Sequence, residues 1–173
     1  TDIWDPLNKD VQIKENFEIL IAKNGYIKLS GPQEIFIEIS ENSQVLFEAL
    51  RKQDETIDLR YKLKKGISYN TINQKLVPGS KFVVTDPNSV AAGVRGTRFA
   101  FETGAKSKIR VFEGTVQCAY KNQTWALPQN QMFEFNAISY ESNFNALDVT
   151  EEQFQQDIVI EEEEVPQDTP KPD

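Results

Sequence analysis

Between residues 56 and 64 apolar and polar side chains alternate without a break, Ile57, Leu59, Tyr61 and Leu63 against Asp58, Arg60, Lys62 and Lys64. Successive side chains of an extended chain point to opposite faces, so this period of two predicts a strand with one dry and one wet face. Gly66 is expected to end it. Ile35, Ile37 and Ile39 repeat the pattern ahead of the turn residues Ser40, Glu41, Asn42 and Ser43. Further extended runs are predicted at 26–30, 45–50, 67–72, 81–85, 98–102, 108–112, 115–120, 124–127 and 131–135. Between them stand Gly31-Pro32, Pro78-Gly79, Asp86-Pro87-Asn88, Gly104, Glu113-Gly114 and Pro128-Gln129-Asn130, residue types that favour turns or break pairing. About 11 short strands with turns roughly every 8–12 residues predict an all-β, antiparallel-rich fold, a two-sheet sandwich or a roll, with a solenoid-like roll as a variant. No strict repeat demands a regular β-helix.

Charge divides the chain. Of 173 residues, 19 are Lys or Arg and 27 are Asp or Glu, for a net charge of −8. Residues 1–149 hold 18 basic and 18 acidic side chains, and the whole imbalance falls in 150–173, where nine acids accompany Lys171 alone. Glu161, Glu162, Glu163 and Glu164 form a like-charge run followed by Pro166, Pro170 and Pro172. Such a composition buries too little apolar surface to offset chain ordering. The expected division is an all-β domain over 1–149 and a disordered acidic tail or linker over 150–173. A short helix is expected at its start, because Thr150 and Gln153 fit a capping box and Phe154 and Ile158 share one helical face. The Glu run lacks the loop spacing of a calcium site.

The same counts narrow the function. An acidic chain lacks the basic surface that phosphates require, so nucleic acid is not an expected partner. No apolar run reaches the roughly 18 residues of a membrane span. The chain does not begin with Met and shows no basic-then-apolar leader, so a removed leader or a longer parent protein is expected. With no histidine, serine, cysteine and zinc hydrolases lose their usual base or ligand, and no cofactor or metal is expected. Cys118, the one cysteine, alternates with Val116 and Tyr120 and is expected in the core. A carboxylate glycosidase would need two acids about 5–9.5 Å apart. Glu38, Glu48, Asp58 and Glu102 instead occupy strand positions expected on wet faces, and an enzyme is not expected. Among the aromatics, Phe133 and Phe135 alternate around Glu134 and belong in a core, whereas Trp4 and Trp125 have polar neighbours and are the candidate ligand contacts.

Residues 81–116 carry the most specific pattern. Two extended runs flank Ala91-Ala92-Gly93 and then Val94-Arg95-Gly96-Thr97. Glycine permits backbone angles closed to other residues and close approach of a neighbouring strand. Arg95 stands among apolar neighbours, and a buried guanidinium needs a partner. Glu113 is the expected one, with Gly114 permitting a tight hairpin between 109–112 and 115–118.

This segment closely resembles the FecR domain, named after the periplasmic transducer of ferric-citrate signalling. Phe82, Val84 and Thr85 match the family's F-x-V-x-T-P start. Val94, Arg95, Gly96, Thr97 and Phe99 match its V-R-G-T-x-F centre, and Val111, Glu113, Gly114 and Val116 its V-x-E-G-x-V end. Asp86 stands as an insertion between Thr85 and Pro87, and Asn130-Gln131 occupies the place of a frequent Gly-Gln pair. With looser matches at Asn24–Leu29, Ile39–Val45 and Leu63–Gly66, the resemblance covers residues 20–136. It implies an all-β, non-enzymatic module, periplasmic or at the cell surface, in which these residues are structural. Binding, scaffolding or signal relay is the implied role, with an envelope protein or a cell-wall component as partner. The alternative it raises is the periplasmic portion of a sigma-factor regulator, since the type member relays the occupancy of an outer-membrane iron transporter to a cytoplasmic sigma factor.

Overall fold

Gly66 bends a strand instead of ending it. In the computed structural model, which describes residues 5–94, 96–139 and 141–158, the runs at 56–64 and 67–72 form one strand, β5 (Thr56–Ile72). It follows β1 (Glu18–Ile21), β2 (Ile27–Gly31), β3 (Ile35–Ile39) and β4 (Ser43–Gln53). After it come β6 (Lys81–Thr85), β7 (Ala91–Val94), β8 (Arg98–Thr103), β9 (Lys106–Glu113), β10 (Thr115–Tyr120), β11 (Gln123–Pro128), β12 (Gln131–Asn136), β13 (Glu141–Ala146) and the helix α1 (Glu151–Ile158). The described residues thus hold thirteen strands, against the roughly 11 that the periodicity predicts.

The fold is mostly β, an open sheet curled on itself. Its continuous path runs β11-β10-β7-β6-β5-β8-β9-β12-β13. The first half of β5 pairs with β4 and, in parallel, with β6; its second half pairs with β3 and β8. All the other pairings are antiparallel. The bend between the halves is built by sequence. Gly66 has φ 104°, and a Cβ placed there would lie 2.0 Å from Ser43 Oγ. That serine, fully buried, accepts a hydrogen bond from Ile67 N at 3.2 Å, and Ser40 N donates to Ile67 O at 3.1 Å. The serine-bearing turn at 40–43 therefore braces the bend and satisfies backbone groups that an angled strand would leave unpaired.

Curling brings the apolar faces of both halves together. Tyr61, completely buried on the first half of β5, donates to Asn70 Oδ1 at 2.6 Å on the second half, and its hydroxyl oxygen lies in hydrogen-bond contact with the Ser68 hydroxyl at 2.8 Å. Phe47, Tyr61, Phe82 and Phe99 stack in series with ring centroids 5.7, 6.3 and 6.3 Å apart. Cys118 lies in this core, where burial pushes its thiol up to about 12.

A second expectation fails at Gly114. Strands β9 and β10 do not pair as a hairpin: β9 lies between β8 and β12, and β10 between β7 and β11. Glu113-Gly114 is a corner where the chain crosses from one wall of the curl to the other. Gly114 has φ 80°, and a Cβ there would lie 2.8 Å from Gly96 O and 2.8 Å from Thr97 Cγ2. The helix at 151–158 forms as the capping box predicts. Gln153 N donates to Thr150 Oγ1 at 3.3 Å, and Thr150 N to Gln153 Oε1 at 3.1 Å. The Glu161–Glu164 run lies outside the described residues.

Candidate functional site

Most of the family-like residues point inward. Phe82, Val84, Val94, Phe99, Val111 and Val116 belong to the main core, and Thr97 is buried beside it. Gly96 and Gly114 meet at the crossing between the β7–β8 and β9–β10 connections, both at positive φ. Thr85, half-buried, ends β6. Glu113 is exposed and pairs with Arg98 at 2.8 Å, its cross-strand neighbour. Arg95, the partner expected for Glu113, lies outside the described residues.

Asp86 acquires a role its turn-like context did not disclose. Its buried carboxylate accepts Asn88 N at 2.9 Å and Val90 N at 2.8 Å and receives the Ser107 hydroxyl. The apparent insertion ties the β6–β7 turn to β9. The only signal in the sequence is the Asp-Pro-Asn turn itself, which gives no sign of Ser107.

Of the two candidate ligand contacts, Trp4 lies outside the described residues. Trp125, half-buried on β11, packs 5.0 Å from Phe133 and 5.7 Å from Phe144, whose side chain is about half exposed. A cleft of about 550 Å³ opens elsewhere, at the start of β5. Ile37, Phe47 and Leu59 floor it, and Lys28 and Arg51 stand on its rim, paired with Glu38 and Glu15 at 2.9 and 2.7 Å.

The richest arrangement is on the outward side of β5, β8 and β9. Tyr69 is in register with Ala100, and Ala100 with Arg110. The alanine between two long side chains leaves a notch, and Phe154 of α1 enters it. The Phe154 ring lies 5.5 Å from Phe112 and 6.2 Å from Tyr69, with the Arg110 guanidinium 5.5 Å from its centroid. A cation over an aromatic face is attracted by the ring quadrupole. Tyr69, Ala100, Phe112 and Phe154 form a small buried cluster of their own, bordered by Ile67, Leu147 and Val149.

Charge reinforces that seat. Arg110, 7% exposed at its side chain, donates to both oxygens of Asp148 at 2.7 and 2.9 Å and to Glu102 at 2.7 Å. Burial works against the guanidinium's charge, but its bonds to Asp148 and Glu102 outweigh that and hold it protonated. In return, the bond from Arg110 holds the Asp148 carboxyl below the ordinary aspartate range. Arg98 Nη2 donates to Glu151 at 3.2 Å, and Nε stands 2.9 Å from the same carboxylate without the alignment of a hydrogen bond. Glu151 also accepts the Tyr69 hydroxyl, whose pKa is raised first by burial and then by that carboxylate. Gln155 donates to the Tyr69 oxygen at 3.2 Å. None of these partnerships was legible in the sequence: Asp148 and Glu151 meet arginines 38 and 53 residues earlier. The arrangement binds and fixes a segment. Its acids are engaged by cations, which suits them poorly for proton transfer.

Comparison with known families gives a match to the family described as FecR protein over residues 18–117. This chain belongs to the FecR protein family. The matched stretch contains β1 to β9 and every signature residue from Phe82 to Val116. Among curated proteins no sequence matches significantly. Among solved structures, two crystal structures of a protein from Parabacteroides distasonis described as a "putative anti-sigma factor" share the fold. One, at 1.65 Å resolution, superposes with TM-score 0.65 at 13% identity, and the other, at 2.50 Å, with TM-score 0.64 at 12%. The alignments cover 76% of this chain and 60% of theirs. Among the described residues of this FecR family member, no helix is long and apolar enough to cross a membrane.

Proposed function

We propose that this FecR family member is a non-enzymatic, exported module that relays signals in the bacterial cell envelope by binding other proteins. The observation that carries this reading is the family match itself. Its residues build the frame of a curled sheet and leave the chemistry to an outer face made for binding. On this reading Phe82, Val84, Thr85, Val94, Arg95, Gly96, Thr97, Phe99, Val111, Glu113, Gly114 and Val116 are structural. Trp125, beside the exposed Phe144, is the aromatic ligand contact that remains for a second partner or a cell-wall glycan. The domain spans 1–149 as a sandwich-like roll, and 150–173 is an acidic linker whose first turns dock through α1.

The more specific reading is the periplasmic portion of a sigma-factor regulator. The description of the structural neighbours as a "putative anti-sigma factor" favours it. Two measurements test the general reading. A phosphatase domain inserted after residue 158 of the complete gene product is expected to be active in cells, as export requires; an inactive, intracellular fusion contradicts it. A panel of chromogenic esters, peptides, phosphates and glycosides is expected to show no turnover, and turnover abolished by Glu113→Gln would overturn the non-enzymatic assignment.

A further inference from the structure

The surface made by Tyr69, Arg98, Ala100, Arg110 and Phe112 lies wholly within the stretch matched by the FecR family. Its cover, residues 147–155, lies wholly outside that stretch. A bare copy of this surface would expose two aromatic rings and leave Arg110 with Glu102, and Arg98 with Glu113, as their remaining carboxylate partners. Contiguous aromatic surface beside cations with donors to spare suits an apolar, acidic occupant.

We propose that the outer face of β5, β8 and β9 is a recognition surface for an acidic, aromatic-bearing segment of a partner protein, with the pattern Asp-x-x-Glu-x-x-Phe, and that residues 148–154 are a tethered copy of that ligand. The pattern is that of the occupant seen here. Asp148 takes Arg110 in a two-pronged bond, Glu151 takes Arg98 and Tyr69, and Phe154 fills the Ala100 notch. Each anchor stands three positions after the one before it, with two residues between them. A single helical turn therefore carries the second and third along the sheet, while the first sits just ahead of the Thr150 cap. The two arginines select carboxylates, and the notch selects a flat ring over a branched side chain.

The mode of attachment makes exchange feasible. Among the described residues, the contacts that hold 147–155 on the sheet are side-chain contacts, apart from Leu147 N to Asn130 O at 3.3 Å. A segment held this way can leave without breaking a strand pairing. A partner segment then competes with the tethered copy and wins by extra contacts or concentration, not by a different chemistry. This inference rests on the reading of the chain as a protein-binding module. Its test is direct binding, so its failure is distinguishable from a failure of export or signalling.

The probe is a fluorescent peptide of residues 146–158, added to the full chain and followed by anisotropy. Wild type is expected to bind it weakly. The Asp148→Asn, Phe154→Ala double variant, with its own copy loosened, is expected to bind at least tenfold more tightly. A peptide with Asn, Gln and Ala at the three anchor positions is expected not to bind, and Ala100→Leu, which fills the notch, is expected to abolish binding. No saturable binding by the folded double variant would overturn the proposal. Hydrogen exchange on the wild-type chain gives a second route should that variant fail to fold. Amides of 147–155 are expected to exchange at least tenfold faster than those of β8 and β9, and exchange only together with those strands would contradict a removable segment. A concentration-dependent dimer that exchanges this segment between copies would also overturn the partner reading, since the occupant would then be a second copy of the chain.

Discussion

At the scale of single residues, the fold rests on positions where shape leaves no alternative. Gly66 is the sharpest, because its positive φ and the Ser43 side chain both oppose any Cβ. Gly66→Ala is expected to cost about 3 kcal/mol or more, since overpacking and backbone strain each contribute ~1–3 kcal/mol. A urea melt should show this as a lower midpoint with an unchanged slope. An unaffected midpoint would mean that the bend is not set there. Tyr61→Phe removes one hydroxyl and, among the described residues, leaves the buried side chains of Ser68 and Asn70 with each other, at 3.3 Å. The expected loss is about 1–3 kcal/mol, the usual cost of an unsatisfied buried polar group. Thermal unfolding would measure it, and a neutral result would show that the pair across the bend adds nothing.

Among the elements, α1 is the one whose attachment is most open to measurement. Phe154→Ala should unseat it, with a loss of roughly 2–3 kcal/mol, below that of a deep core phenylalanine because the cluster is small. The β spectrum should persist and the helical contribution fade; loss of the whole fold would make α1 integral to the domain. Acid should loosen the same contact. Asp148 titrates below its ordinary value when docked on Arg110. Its contribution is therefore complete above the ordinary aspartate value and disappears as pH falls through the lowered one. Urea stability at pH 7 and pH 3 should converge for wild type and Asp148→Asn as the pH drops. A constant gap between them would contradict the assignment.

These elements also mark what the sequence discloses. Strict alternation at 57–63 and 35–39 announces strands because one face is buried and the other wet. Strand β13 has no such signal: all six of its residues are exposed, so nothing in their polarity reports the pairing with β12. The continuity of β5 through Gly66 depends on a serine 24 residues away from Ile67. Glu113-Gly114 signals a reversal, but a hairpin and a corner between walls require the same residue types, and only tertiary pairing separates them. The capping box at 150–153 is local and reads directly. The seat of α1 is long-range and does not.

Over the whole molecule, the FecR pattern works as a frame. Its apolar residues fill one core, its glycines meet at one crossing, and the charged and aromatic side chains capable of recognition stand on the outward face and along the β11–β13 seam. On the proposed reading, a protein organised in this way acts by changing what it holds. The measurement that tests this most directly is the transcriptional response of the native organism when the coding segment for residues 5–158 is deleted in frame from the full gene. A signal-relay module predicts that a defined set of genes loses its response to an envelope stimulus while growth and catalytic inventories stay unchanged. An intact response across envelope stimuli, with the shortened protein stably present, would contradict the account.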